Sequence, residues 1–447
     1  MARVYWMRSF VPIETKSKWR RNRSISSAAA GTSIMAPQDK LAELRMTMAA
    51  DRIGGKISMP GSRGVSFPDP QYSVGLKSSI RQGFLYSDAR VDDARLTVLN
   101  AVSAREHGAE IRPRTRVTGG KRVGDVWQIA MRNVDTGETS EARARGVVNA
   151  AGPWVKQLLD DAVHVPMTAT LKLVKGSHIV VPRVHDQQHA YILQNDDKRV
   201  VFIIPFEDKF SLIGTTDVNV ESVEEGHQIS KAEVAYLIRA VNRFLAQPLY
   251  EADVVWSYAG VRPLYDDGAE NPSEITRDYV LKTDHQNGKL PLLSIFGGKI
   301  TTYRRLAEHA LEELNPFFPG LTKAWTADEV LPGGDLASLS DAILALTTKH
   351  PSLPIDYLGR LVSRHGARAE RLLKGVRAMA DLGELFGAGA TMLSEREIDF
   401  CIKEEWARKP DDILWRRTKC GLHMDAAERA RAATFIATRV AVLNKLT

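Results

Sequence analysis

The sequence predicts an α/β plus α+β protein with three parts. These are a strand–helix nucleus, an inserted mixed and mostly antiparallel part, and an all-helical C-terminal part. Three observations predict it. Two junctions, Gly146–Trp154 and Ser294–Arg304, each run from an apolar strand through a small-residue turn into a helix start. Between them lies a series of short strand patterns with polar connections. After Gly333-Gly334 the apolar spacing becomes helical to the end.

Taken in order, Asp92 to His107 reads as a helix, with Leu96, Leu99 and Val102 on one face and Gly108 as its stop. Extended segments are expected at Ala109–Val117, Val126–Asn133 and Ala142–Asn149, with a turn at Asp135-Thr136-Gly137. Alternating strands and helices of this kind form the back half of a dinucleotide-binding domain. Gly119-Gly120 reads as a loop. Strands follow at Leu171–Pro182, Ala190–Leu193, Arg199–Pro205 and Phe210–Thr215. A helix spans Lys231–Ala246 and a strand Val254–Tyr258. Gln286-Asn287-Gly288 between two apolar runs is a hairpin signal. Helices are expected at Leu336–Thr348, Ala367–Leu382, Glu395–Arg408 and Ala426–Leu446, the third with a capping box from Ser394 to Glu397.

Composition narrows the class. The chain has 447 residues, 44% hydrophobic and 26% charged, enough for two or three domains. Cys401 and Cys420 are too far apart for a metal pair and too few for a disulfide framework, and no histidine pair has zinc spacing, so no metal is expected. No apolar run approaches the ~18 residues of a membrane span. The net charge of +7 favours anionic partners. Basic residues are spread throughout without a nucleic-acid motif, so phosphate and an anionic membrane surface rank first and nucleic acid is not expected. Residues 1–50 form an atypical basic segment, with Arg3, Arg8, Lys16, Lys18, Arg20, Arg21 and Arg23, expected to be poorly ordered. It has the composition of a targeting segment, or of a foreign or out-of-frame one.

The Ser294–Arg304 junction carries the strongest chemical signal. Bare N–H groups at a Gly-Gly turn and helix start suit a phosphate or a reduced flavin ring, and Lys299 adds a positive charge. Thr301 or Thr302 can cap the helix, whose apolar stripe is Tyr303, Leu306, Ala307, Ala310, Leu311 and Leu314. In the other junction Pro153 fits the first helical position.

Together these segments resemble the aerobic, FAD-dependent glycerol-3-phosphate dehydrogenases of bacteria. The matching stretches run in the family's order from about Asp51. They are Tyr86-Ser87-Asp88, Val91–Leu96, Val148–Val155, Lys175–Arg183 and Gly214-Thr215-Thr216-Asp217. Gly260–Leu264, Ile275–Tyr279, the Gly297-Gly298-Lys299 turn and Leu414–Lys419 complete them. The departure is equally clear. The family opens with a βαβ unit carrying G-x-G-x-x-G for the FAD pyrophosphate, and no such motif occurs anywhere in this sequence. The expectation is a dehydrogenase whose N-terminal cofactor unit is replaced or lost.

The resemblance implies an incomplete FAD/NAD(P)-binding, Rossmann-like domain at 51–165 and 291–325. It implies a substrate domain at 166–290 and a helical domain at 326–447. It also implies oxidation of sn-glycerol 3-phosphate to dihydroxyacetone phosphate, with electrons passing through FAD to a membrane quinone. The setting would be cytoplasmic, on the inner face of the cell membrane, and a homodimer is compatible with it. Substrate contacts would be Arg262, Arg277 and Lys299. Cofactor contacts would be Asn149, Ala150, Gly152, Pro153, Trp154, Gly297, Gly298, Lys299, Ile300 and Thr301. Lys299 can act as a fixed cation or, if desolvated, as a base. His178 is the better base by residue type and equally a core histidine. Asp217 can be a simple turn residue. Trp154 and Tyr258 can flank a flavin or fill a core. Two other readings stand beside this one: a related FAD-dependent amino-acid-type oxidase, and a truncated remnant that binds substrate or a partner without turnover.

Overall fold

The computed structural model describes residues 32–34, 63–66, 69, 71–85, 90–166, 171–197, 199–266 and 278–443. The basic segment before residue 32 and Arg277 lie outside them. The chain divides into two compact units. The first holds 114–326 with 28–88, and the second holds 89–113 with 327–447.

In the first unit, β1 (Thr32–Ile34), β2 (Arg63–Ser66) and β3 (Gln82–Leu85) form a small antiparallel sheet. In the second unit, α1 (Asp93–Glu106) is capped by Asp92, whose carboxylate accepts from Arg95 N–H at 3.1 Å. The sequence reading placed this helix in the cofactor domain; the structure puts it with the C-terminal helices. Besides its buried Leu96 and Val102, a buried charge pair ties it there. The Arg95 guanidinium meets Glu405 in a buried two-pronged bond, its Nη2 lying 2.9 Å from Oε1.

The meander β4 (Thr115–Val123), β5 (Val126–Asn133) and β6 (Thr139–Ala144) follows. Here two expectations fail. The strand expected at Ala109–Val117 starts at Thr115 and runs through Gly119-Gly120, because a Cβ at Gly120 would lie 2.8 Å from Val163 Cγ1. The segment expected as one strand at Ala142–Asn149 splits into β6 and β7 (Val147–Asn149), which lie in different sheets.

The substrate sheet is antiparallel at every pairing. Its path is β12-β8-β11-β10-β9, from β8 (Leu171–Pro182), β9 (Tyr191–Gln194), β10 (Val200–Phe206), β11 (Phe210–Gly214) and β12 (Val218–Val220). Helix α2 (Lys231–Asn242), shorter than expected, lays Leu237, Ile238 and Val241 on a core of Ile179, Val181, Tyr191, Val201, Ile203 and Ile213. Each such side chain contributes about 1.5–3 kcal/mol on burial. Strand β13 (Trp256–Tyr265) pairs with β8 over ten residues. It runs well past the expected end at Tyr258, so Arg262 lies inside a strand rather than after one.

Hairpin β14 (Tyr279–Gln286) and β15 (Lys289–Gly297) turns at Asn287 and Gly288, with φ of 51° and 73°, as a type I′ turn requires. β15 then pairs in parallel with β7, and α3 (Tyr303–Leu314) follows. In the second unit α4 (Leu339–Lys349), α5 (Ile355–His365), α6 (Glu395–Glu405) and α7 (Ala426–Leu443) build the core. Helix α5 was not foreseen. The helix expected over Ala367–Leu382 is interrupted, with Gly375 at φ 82°.

Candidate active site

The register Leu292↔Val147, Leu293↔Val148, Ser294↔Asn149 sets β7 and β15 side by side and parallel. Their carboxyl ends, where open parallel sheets take ligands, lead into the two small-residue turns. Asn149 is buried, and its side chain serves the first turn. Nδ2 donates to Val155 O at 2.9 Å and Oδ1 accepts from Ala151 N–H at 3.3 Å. Gly152 has φ 56° and open space where a Cβ would stand. Pro153 lies in the first turn of a short 3-10 helix, as its fixed φ favours. Ala150 is exposed and Trp154 is 45% exposed, so Trp154 is no core filler.

In the second turn Gly297 and Gly298 have φ of 73° and 98°. A Cβ at Gly297 would sit 2.8 Å from Asp278 O and 3.6 Å from Pro263 O, so this turn abuts the strand that carries Arg262. Lys299, Ile300 and Thr301 are exposed. The expected threonine cap does not form. Thr302 Oγ1 donates to Lys299 O at 2.9 Å and accepts nothing from the helix. The helix is instead entered through a 3-10 turn, Ile300–Thr302, in which Thr302 N–H donates to Lys299 O at 3.0 Å and Tyr303 N–H to Ile300 O. Lys299 at its head makes no side-chain cap.

Strands β8, β11 and β13 make the adjoining wall. His178 lies opposite Tyr258 in register, with rings stacked at 4.9 Å and 11°. On its other side Gly214 gives it room, since a Cβ there would be 2.2 Å from His178 Cδ2. His178 Nδ1 is buried without a hydrogen-bond partner. Burial, and then the charge of Arg262, push the imidazole pKa down to about 4. Two residues along β8, about 7 Å away by strand rise, the Arg262 guanidinium lies over Gly176. A Cβ at Gly176 would be 2.5 Å from Arg262 Nη2. Arg262 Nη1 is 2.6 Å from Asp217 Oδ1, and Nη2 donates to Thr215 Oγ1 at 3.0 Å. Two of five N–H bonds are thus spoken for and the side chain is 34% exposed, leaving donors for an anion. Asp217 therefore orients Arg262, beyond being a turn residue. Gly176, Gly214 and Thr215 escaped the sequence reading as individuals, although each lies inside a matched segment.

The residues at the two turns fit a flavin's polar edge: positive-φ glycines, exposed backbone and an uncapped helix start. A pyrophosphate cradle of the G-x-G-x-x-G type has no counterpart in the sequence. Among the described residues no group of three or more His, Cys, Asp or Glu could hold a metal ion. No helix there is long and apolar enough to cross a membrane.

Comparison with known proteins identifies the family and the fold. Residues 19–304 match the FAD dependent oxidoreductase family, and 324–442 match the C-terminal domain of alpha-glycerophosphate oxidase. The chain is 46% identical to the aerobic glycerol-3-phosphate dehydrogenase of Escherichia coli (strain K12), over 86% of this chain and 76% of that protein. It is 43% identical to the D-erythritol 1-phosphate dehydrogenase of Brucella abortus (strain 2308), over 88% and 78%. The fold is shared with the FAD complex of the Bacillus halodurans glycerol-3-phosphate dehydrogenase, at TM-score 0.65 and 22% identity over 85% of this chain and 82% of that one. The chain belongs to the aerobic, FAD-dependent glycerol-3-phosphate dehydrogenase family.

Proposed function

We propose that this protein oxidises sn-glycerol 3-phosphate to dihydroxyacetone phosphate and passes the electrons to a membrane quinone. The observation that carries the reading is the Arg262 guanidinium, held by Asp217 and Thr215 two residues along β8 from His178. A secondary alcohol must lose its hydroxyl proton and a hydride. FAD supplies the two-electron acceptor when bound, with the turns at Asn149–Trp154 and Gly297–Thr301 as its contacts. Arg262 grips the phosphate, and Arg277 and Lys299 add charge to the same anionic end. His178, neutral at pH 7, can take the hydroxyl proton on its imidazole. Charge neutralisation of Arg262 by the phosphate removes one of the two causes that depress His178, so substrate binding strengthens the base. Lys299, exposed at the helix start, serves as a fixed cation rather than a base. The basic net charge of +7 suits docking on an anionic membrane face, and a homodimer is compatible with the reading.

The Brucella relative sets the comparison to make. Steady-state oxidation with a soluble quinone and added FAD should be run on glycerol 3-phosphate, D-erythritol 1-phosphate, glycerol and amino acids. Glycerol 3-phosphate should have the highest kcat/KM. A preference for the erythritol phosphate would move the substrate assignment, and turnover of amino acids alone would replace it with the oxidase reading. Substrate binding without turnover of any of them would favour the non-catalytic reading.

A further inference from the structure

A second polar layer lies behind the wall that carries His178 and Arg262. Successive strand residues point to opposite faces. Gly176 and His178 face Arg262 and Tyr258, while Lys175 and Ser177 face Glu233 in the first turn of α2. Glu233 Oε1 accepts from Ser177 Oγ and from Thr216 Oγ1, both at 2.8 Å. Oε2 lies 2.8 Å from Lys175 Nζ and accepts from the Ser230 N–H at 2.9 Å. Ser177 N–H donates to Thr216 Oγ1 at 3.0 Å, which closes the ring. Lys175, Ser177, Thr216 and Glu233 are all buried. Burial opposes the Glu233 charge, but the Lys175 ion pair and the hydrogen bonds from Ser230, Ser177 and Thr216 outweigh it. They hold the pKa at about 2, so the carboxylate stays ionised.

Capping α2 explains only half of this carboxylate. The capping box with Ser230 uses Oε2. Both side-chain donors to Oε1 come from the wall, and one of them, Thr216, stands between Thr215 and Asp217, the two residues that hold Arg262. We infer that Glu233 is a positioning residue for the substrate: through Thr216 and Ser177 it locks the Gly214–Asp217 turn onto β8, so that Thr215 and Asp217 aim the Arg262 guanidinium at a phosphate. This rests on the phosphate reading of Arg262 above.

The test is calorimetric titration of the intact chain with sn-glycerol 3-phosphate, with glycerol as the phosphate-free comparison and melting temperatures measured alongside. The variants are Thr216→Val, Thr216→Ser, Glu233→Gln, Arg262→Ala and the Thr216→Val/Arg262→Ala double. Thr216→Val should weaken binding about tenfold or more, while Thr216→Ser, which keeps the hydroxyl, should stay within about threefold of wild type. Glu233→Gln, with one acceptor oxygen fewer, should weaken it in the same direction. The double variant should bind no more weakly than Arg262→Ala alone, because Thr216 acts through Arg262. A threonine that merely supports the fold would lower the melting temperature, and its binding effect would add to that of Arg262→Ala; additivity overturns the inference. If Arg262→Ala weakens binding and Thr216→Val does not, this inference alone is overturned. If Arg262→Ala binds as tightly as wild type, the phosphate reading falls and the inference falls with it.

Discussion

Arg262 and Asp217 form an ion pair at 2.6 Å, one from within β13 and the other from the turn just before β12, 45 positions apart in the chain. The pair is partly open to solvent, so its own contribution to stability is small, roughly 0–1 kcal/mol. Its consequence is orientation. A guanidinium fixed by a carboxylate on one prong and a hydroxyl on another presents its remaining N–H groups in a set direction.

Arg262→Ala should therefore cost about 2–5 kcal/mol of transition-state binding for glycerol 3-phosphate, or roughly 30- to several-thousand-fold in kcat/KM. Arg262→Lys should recover only part, since an ammonium makes no fork. Glycerol should be equally poor with either enzyme. Steady-state kinetics of both substrates on both variants decide it. Equal losses for glycerol and its phosphate would make Arg262 a structural residue.

Gly176→Ala separates the same grip from the fold. The new methyl would lie 2.5 Å from Arg262 Nη2 and 2.6 Å from Thr215 Oγ1, so the guanidinium must move. The tip of a flexible side chain moves cheaply. The melting temperature should shift by only a few degrees, as a change of about 1 kcal/mol implies, while glycerol 3-phosphate affinity falls about tenfold or more. Unchanged affinity with a lowered melting temperature would show that the close approach matters for packing alone.

Local signals were legible in the sequence, and long-range pairings were not. Asn287-Gly288 announced its hairpin because few residues adopt two successive positive φ values. The two glycine turns were readable as strand-to-helix junctions, but nothing local said that they lie side by side; the parallel pairing of β7 with β15 does that. Gly119-Gly120 misled because glycine in a strand looks like a loop until Val163 occupies the space. Helix α1 went to the wrong domain because its anchor, Glu405, lies 310 residues away. Asp217 and Thr215 could not be assigned to Arg262 without the wall that joins them, although Ser230 and Glu233 do show the capping-box spacing.

The flavin should bind loosely. Two turns offer backbone donors, yet the 447 residues contain no G-x-G-x-x-G. Losing several charge-assisted bonds of about 1.5–3 kcal/mol each raises the dissociation constant by several orders of magnitude. The purified chain should show little absorbance at about 370 and 450 nm, the bands expected of an oxidised flavin, and added FAD should be removable by gel filtration. A stoichiometric yellow protein that keeps its flavin through the column would refute this.

In the helical unit, Arg95 and Glu405 are buried together, and His365 lies beside Glu405. Burial disfavours the Glu405 charge, but Arg95 and the His365 contact hold its pKa well below the usual carboxylate range. Glu405→Leu would leave the Arg95 cation buried without its partner, at a cost of about 3–5 kcal/mol. The double variant Arg95→Met/Glu405→Leu should recover most of it. Urea unfolding followed through Trp406 and Trp415 measures both. If the double variant were as unstable as the single, packing rather than stranded charge would be the cause.

Three histidines whose pKa values are depressed predict the acid behaviour of the substrate sheet. Burial pushes His178 and His185 down to about 4 and His189 to about 3. The rings of His185 and His189 stack at 4.7 Å, and the charge of each would oppose that of the other. Because the native pKa values lie below the unfolded value near 6.5, the unfolded chain binds more protons on the acid side. Stability is therefore complete above about pH 6.5 and falls as pH drops through 6 toward 4. Each histidine contributes up to about 1.4 kcal/mol per pH unit over that window. Hydrogen exchange of the β8–β10 amides should report opening energies that decline steeply between pH 6 and 4. His185→Phe/His189→Phe should flatten the decline by close to two protons' worth, whatever it does to stability at pH 7. An unchanged slope in that variant would place the acid sensitivity elsewhere in the sheet.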